Sequence, residues 1–262
     1  LEAEILLAYL LGLPRTALWA EPEREVPAEV ISRLTELCRR RAAGEPSAYL
    51  VGRKEFWSLE FVVDERVLVP RPETEHLVEE VLDRIPAAAP RIVDFGTGSG
   101  CVALTLAHER PGAVVLGIDS SSGALEVARL NARRLRLTAR FHAIQARDLR
   151  ALGPAGCLDG VVSNPPYIPL RRLPSLPRDV RDYEPLEALT PGSDGLEVIR
   201  HLAREAARLL APGGVLALEI DAGSRDQVLA VLEGPAWGAV RVAADLAGHP
   251  RVVSTRRQAG PG

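Results

Sequence analysis

Hydrophobic residues recur at two periods along this chain. From Thr74 to Ile85, residues Leu77, Val78, Val81, Leu82 and Ile85 step by three and four, which predicts a helix with one apolar face. Over 194–210, Leu196, Ile199, Ala203, Ala206 and Leu210 do the same. Helical patterns also occupy 99–110, 122–135 and 224–233. Between them lie apolar runs of strand length at 91–95, 113–118, 140–145, 158–163, 214–220 and 239–244, with a last one near 251–255. Strands alternating with helices predict an α/β domain whose sheet is mostly parallel and covered on both faces. Only the short Gly248-His249-Pro250 turn precedes the last strand, too little chain for a helical crossover, so the final two strands are expected as an antiparallel hairpin at one edge.

The first part of the chain reads differently. Residues 1–11 are apolar almost all round, and 27–43 place Pro27 at a first helical position, then Ile31, Leu34, Cys38 and Arg41 at helical spacing. A small helical domain is expected over 1–48, ending near Gly44-Glu45-Pro46. In a connector over 49–73, Trp57, Leu59, Phe61 and Val63 alternate with Phe56, Ser58, Glu60 and Val62, the pattern of one strand, to which Val67-Leu68-Val69 is expected to return as a hairpin. The sheet domain then spans 74–262. Within it, residues 168–191 are rich in proline and arginine and read as one long loop, a type of segment that is often functional.

Composition narrows the classes. At 262 residues and 47% hydrophobic content the chain can bury a large core. No apolar run approaches the roughly 20 residues of a membrane helix, and the start lacks the basic region and cleavage site of a signal peptide, so a soluble chain is expected. Cys38, Cys101 and Cys157 are odd in number and lack metal-ligand spacing; they are expected as reduced thiols in a cytoplasmic protein. The net charge of -3 argues against a broad duplex-binding surface and leaves Arg171, Arg172, Arg178 and Arg181 as a local basic cluster. The chain begins at Leu1 inside a helical pattern, so the natural protein is expected to extend further.

Two motifs carry chemistry. "RIVDFGTGSG" (91–100) runs from a strand through a glycine turn into a helix, and Gly96, Thr97, Gly98, Ser99 and Gly100 would let the backbone approach a ligand. The next strand ends at Asp119, placed to accept hydrogen bonds from both hydroxyls of a ribose. The turn is G-x-G-x-G rather than the G-x-G-x-x-G that fits a pyrophosphate, and Asp94 sets a negative charge beside it. That charge suits a ligand bearing ammonium and sulfonium groups, which points to S-adenosylmethionine; another nucleotide or a plain tight turn are the alternatives. Asp148, after the third strand, is positioned to meet an adenine amino group with Leu149 packing on the ring, or simply to cap a turn.

The second motif is "SNPPYIP" (163–169), at the end of the fourth strand and on the same edge of the sheet. The Asn164 amide oxygen and the Pro165 carbonyl can accept two hydrogen bonds from one planar NH2 group. Pro165 and Pro166 stiffen the segment and bring no competing N–H donor. Gripping both hydrogens would aim the nitrogen at a methyl donor and stabilise the positive charge growing there, with Tyr167 packed against the flat group. The plain reading is an Asx-Pro turn ending a buried strand.

These residues resemble the N/D-P-P-Y/F motif of amino-methyltransferases. With "GEPSAYLVGRKEFWSLEFVVDERVLVPRPETE" (44–75), "VDFGTGSG" (93–100), "YEPLEAL" (183–189), "GSDGLEVIR" (192–200) and "DLAGHPRVV" (245–253), nearly the whole chain resembles the HemK/PrmC family, the peptide chain release factor glutamine methyltransferases. The resemblance implies a seven-stranded Rossmann-like class I methyltransferase domain behind a helical substrate-recognition domain. It implies an enzyme that uses S-adenosylmethionine to methylate the glutamine of the Gly-Gly-Gln motif of bacterial class 1 release factors, as a monomer with no nucleic-acid substrate. By position, Gly96 to Gly100, Asp119, Asp148, Leu149 and Asn164 would contact the donor; Asn164, Pro165, Pro166 and Tyr167 would hold the glutamine; Arg71 and Glu73, in R-P-x-T-E, would support it, with Thr74 also serving as a helix N-cap. A relative acting on a large-subunit ribosomal protein usually reads P-R-S-P-x where this chain has P-R-P-E-T-E. A nucleic-acid amino-methyltransferase and a catalytically silent binding module are further alternatives. Phe95 stands where the family often has leucine, and a further N-terminal helix is usual.

Overall fold

The computed structural model describes residues 1–259. Four helices come first, α1 (Glu2–Leu11), α2 (Arg15–Ala20), α3 (Ala28–Ala42) and α4 (Ser47–Val51). Pro14, Pro27 and Pro46 stand at the N-cap of the last three, where a missing N–H costs no hydrogen bond. Pro27 is therefore one residue outside the helix it was expected to begin. Ile31 is 51% exposed, and the inward face of α3 is formed by Leu34, Leu37 and Cys38. The sequence pattern missed α2 and α4 because each is too short to display a helical period.

The connector holds a hairpin with other strands than expected. β1 (Arg53–Phe56) pairs antiparallel with β2 (Leu59–Val62), and the chain turns at Trp57 and Ser58, whose φ values are 54° and 58°. Such a primed turn normally carries Asn or Gly, so the alternation through it read as one strand. Val67, at the bend closed by its N–H to the Asp64 carbonyl, and Val69 are buried outside any sheet. Trp57 is held by its own contacts, N–H to Glu75 Oε1 at 2.8 Å and Nε1–H to Glu109 at 3.0 Å.

After a 3₁₀ turn at Pro72–Thr74, the chain alternates α5 (Glu75–Arg84), β3 (Arg91–Phe95), α6 (Cys101–Glu109), β4 (Val114–Asp119), α7 (Ser122–Arg134), β5 (Phe141–Gln145) and β6 (Leu158–Ser163). Residues 168–191 are not a plain loop: a 3₁₀ turn at Leu170–Ser175 precedes α8 (Arg178–Tyr183) and α9 (Leu186–Leu189). Pro169, Pro177 and Pro185 each cap one of these short helices, so the prolines that suggested loop are helix starts. Then follow α10 (Glu197–Leu209), β7 (Leu210–Glu219), α11 (Arg225–Val231), β8 (Arg241–Ala244) and β9 (Pro250–Arg256).

The sheet order is β5-β4-β3-β6-β7-β9-β8, parallel from β5 to β7 and antiparallel where β9 meets β7 and β8, the edge hairpin expected. Alternate strand residues feed two cores. Ile92, Val162 and Ala217 pack under α5 and α6, while Val93, Val161 and Leu216 pack under α10 and α11. Ile199, Leu202, Ala203, Ala206 and Leu209 form the buried face of α10. The order reverses between β4 and β6 around β3, and the carboxyl ends of these strands open on one edge, where ligands bind in such sheets.

Candidate active site

At that edge β3 leaves the sheet through a turn of three left-handed glycines, Gly96, Gly98 and Gly100, with φ of 72°, 54° and 82°. A Cβ on Gly98 would meet nothing within 4 Å, so the turn faces open space, whereas one on Gly100 would press Leu104 at 3.0 Å. The Gly96 and Thr97 amides donate to the Ile118 carbonyl, locking the turn onto β4. Asn131 of α7 braces it from behind, donating to the Ser99 carbonyl at 2.9 Å while pairing with both backbone groups of Val62. The Ser99 hydroxyl is buried with no hydrogen-bond partner among the described residues.

Two carboxylates flank the turn. Asp119 accepts from the Gly98 amide at 3.0 Å and the Ser121 amide at 2.9 Å, and burial raises its pKa. Asp94 is buried and accepts from the Thr97 hydroxyl at 2.7 Å; burial pushes its pKa up to about 7, the Thr97 and Ala103 bonds working against that rise. A buried acid of this kind beside an open glycine turn fits a cation, because an ammonium or sulfonium group would lower its pKa and restore the charge. Cys101, next along, has its thiol pushed up to about 12 by burial, which disfavours the reactive thiolate.

Asn164 follows β6 directly. Its Nδ2 donates to the Thr74 hydroxyl at 3.2 Å, which leaves Oδ1 without a protein donor among the described residues; the Pro165 carbonyl likewise receives none. The backbone is held on both sides of the motif: Ser163 Oγ donates to the Phe95 carbonyl at 2.7 Å, and the Ile168 amide to Leu189 at 3.0 Å. Gly195 is required here, since a Cβ would lie 2.5 Å from the Tyr167 carbonyl. Tyr167 donates through its hydroxyl to Glu219 at 3.3 Å.

The structure thus brings Gly96 to Gly100, Asp119 and Asn164 to Tyr167 to one edge. Asp148 caps its own turn by accepting from the Arg150 amide at 3.0 Å, and Leu149 is fully buried in the core under α10. Arg71 pairs with buried Glu184, which also accepts from the Val69 amide at 3.3 Å; Glu73 lies among the charges facing Glu219. Thr74 has no capping bond to α5, contrary to expectation: its hydroxyl serves Asn164 instead. In the arginine cluster, Arg172 pairs with Asp221, and Arg178 and Arg181 share Asp182. Sequence reasoning missed Glu219, Glu184 and Asn131. Glu219 alone had a local signal, an acid ending the apolar run of β7.

Comparison with known proteins agrees with this geometry. Residues 1–52 match the model of the PrmC N-terminal domain, and residues 73–171 that of the methyltransferase small domain. A release factor glutamine methyltransferase of Nitratidesulfovibrio vulgaris is 42% identical over 98% of this chain and 88% of its own length. One of Moorella thermoacetica is 47% identical over 96% and 89%. Among solved structures, the hMettl16 catalytic domain, in complex with an RNA hairpin, superposes with TM-score 0.63 at 13% identity over 82% of each chain, a likeness of fold alone. The methyltransferase domain and the release factor glutamine methyltransferases that match it make S-adenosylmethionine the expected cofactor. With a helical N-terminal domain, a glycine turn and the Asn164-Pro165-Pro166-Tyr167 corner on one sheet, and identities above 40% over almost its full length, the chain belongs to the family of release factor glutamine methyltransferases.

Proposed function

We propose that this chain transfers a methyl group from S-adenosylmethionine to the side-chain amide nitrogen of the glutamine in the Gly-Gly-Gln motif of bacterial class 1 release factors. The observation that carries the reading is the pair of free acceptors, Asn164 Oδ1 and the Pro165 carbonyl, at the sheet edge that also carries the glycine turn and Asp119. Gly96 to Gly100 would hold the donor, with Asp94 facing its positive charge, Asp119 taking the ribose and Asp148 the adenine edge. When bound, S-adenosylmethionine supplies a methyl group on a positively charged sulfur.

An amide nitrogen is a weak nucleophile because its lone pair is delocalised into the carbonyl. Asn164 and Pro165 take both its hydrogens, fix its direction and stabilise the charge that builds on it during in-line attack. The new N–C bond forms as the S–C bond breaks, and the nitrogen then loses one proton to solvent. Tyr167 supports the flat amide, and the Arg71–Glu184 pair fastens the connector beside it. The reading has the chain acting as a monomer in the cytoplasm, where release factors work; no helix among the described residues is long and apolar enough to cross a membrane.

The test is incubation with methyl-labelled S-adenosylmethionine and a bacterial class 1 release factor, followed by peptide mass spectrometry. Label on the Gly-Gly-Gln glutamine, lost when that glutamine is replaced by alanine, supports the reading. Label on a ribosomal protein or a nucleic acid instead overturns the substrate and keeps the chemistry.

A further inference from the structure

Ser163 pairs with Leu218 in the parallel β6–β7 ladder, so Asn164 and Glu219 are the next residues on adjacent strands. Thr74, from the 3₁₀ turn before α5, lies between their side chains. Its hydroxyl accepts from Asn164 Nδ2 at 3.2 Å and stands beside the Glu219 carboxylate, favouring its charged form, with no hydrogen bond closed between the two in this structure. Thr74 and Glu219 are each 2% exposed, and Glu219 Oε2 has no hydrogen-bond partner among the described residues. An acid is thus buried behind the catalytic corner, only partly satisfied, on a fold that could have placed an apolar residue there; such a group needs a reason.

We propose that Thr74 and Glu219 are positioning residues that set the polarity of a hydrogen-bond chain, and through it the rotational state of the Asn164 amide. The inference rests on the reading that Asn164 grips a substrate NH2 group. An ionised carboxylate only accepts, so it draws the single proton of Thr74. The Thr74 oxygen must then accept, and only the NH2 end of the Asn164 amide can serve it. Oδ1 is turned outward, toward the nitrogen to be methylated. Protonated Glu219 reverses the chain: its O–H donates to Thr74, Thr74 donates to Oδ1, and the amide presents NH2 to NH2. Two donors then face each other and the grip is lost.

The ionisation of Glu219 is therefore a gate. Burial pushes its pKa up to about 7; Glu73 beside it acts in the same direction, and Arg251 of β9 opposes. Tyr167 faces Glu219 with its own hydroxyl, Cys101 lies within its field at the start of α6, and Asp221 acts on Tyr167 from beyond β7. None of these neighbours supplies a cation in hydrogen-bonding contact that would hold the acid ionised at every pH.

The experiment compares the full-length protein with E219Q, T74V and T74S between about pH 5.5 and 9, at saturating donor and release factor. Wild-type kcat is expected to fall about tenfold per pH unit below about 7. E219Q is expected at least about tenfold slower at pH 8 and flat across the range, with donor affinity within about threefold of wild type and an unchanged melting curve. T74V should lose turnover similarly, and T74S should restore most of what T74V loses. A second readout needs neither donor nor release factor: the side-chain amide resonance of Asn164 in 15N-labelled protein, identified by its loss in N164A. It should shift through the same pH interval in wild type and stay fixed in E219Q. An acid limb and a resonance shift that both persist in E219Q overturn the proposal, as does full turnover in T74V. Absence of any methyl transfer by the wild type to a release factor would sink the functional reading, while the resonance still decides the orientation of Asn164.

Discussion

The donor end and the acceptor end of the site share one sheet edge and are built in opposite ways. Asp94, Thr97, Gly98 and Asp119 come from two neighbouring parallel strands and the turns leaving them. Thr74, the Asn164–Tyr167 corner and Glu219 come from three separate segments, with a separation of 90 positions across the Asn164–Thr74 contact and 52 across the Tyr167–Glu219 contact. The first end needs only a strand, a turn and a helix to be in place. The second exists only when long loops have closed and the whole sheet is assembled, which costs chain entropy before any contact is gained. Both ends bury a carboxylate whose pKa stands at about 7, yet Asp94 has a hydroxyl and an amide for partners while Glu219 keeps one oxygen free. On the proposed reading, one acid would meet a ligand's charge and the other would set a neighbour's orientation.

The largest effect should come from separating the two ends directly. N164A is expected to lower kcat about a thousandfold while leaving donor affinity, measured by calorimetry, within about tenfold. A matched collapse of donor binding would mean that the two ends are not independent.

Asp94 offers the next test. Burial raises its pKa from 3.8 to about 7, so between those values the folded protein holds a proton that the unfolded chain has lost. Stability contributed by this group therefore falls as pH rises through that window, and the full cost is present above it. D94N should raise the melting temperature of the ligand-free protein at pH 8 and do little near pH 4, where the acid is already neutral in the fold. The same change should weaken donor binding at pH 8 by about tenfold or more, since an amide offers no charge to a cation. Wild-type donor affinity should itself weaken as pH falls below about 7, and in D94N that dependence should vanish. Equal pH dependence in the two proteins would remove Asp94 from the donor site.

The smallest effect concerns the fastening of the acceptor end. Glu184 accepts from the Val69 amide and pairs with Arg71, joining the end of α8 to the connector. E184Q keeps the shape and removes the charge, and should lower kcat by about fivefold to tenfold without changing donor affinity. A change in donor affinity instead would show that the connector supports both ends alike.

Legibility followed the same divide. The seven strands were readable because each has an apolar run of the right length, and the glycine turn because its residues adjoin. The Asn164 motif was readable as chemistry, but its partners were not. Thr74 read as a helix cap because threonine before a helical pattern has that use most often, while its hydroxyl bonds a residue far along the chain. Leu149, expected against an adenine ring, is fully buried, because one residue's shift after a strand decides which layer a side chain enters. The hairpin at Trp57 and Ser58 escaped notice because neither residue favours the left-handed backbone that it adopts there.

By itself the sequence determined the alternation of the seven sheet strands with the long helices, the antiparallel edge, the glycine turn with its acid, and a rigid pair of acceptors at Asn164 and Pro165. These depend on residues near one another, whose periodicity and backbone limits act locally. Only the tertiary structure decided that Thr74 turns toward Asn164, that Glu219 is buried beside Tyr167, and that Glu184 clasps Arg71. Each of those contacts joins positions far apart in the chain, and a polar side chain's partner is chosen by what the packed strands bring within about 3 Å of it, not by its neighbours in sequence.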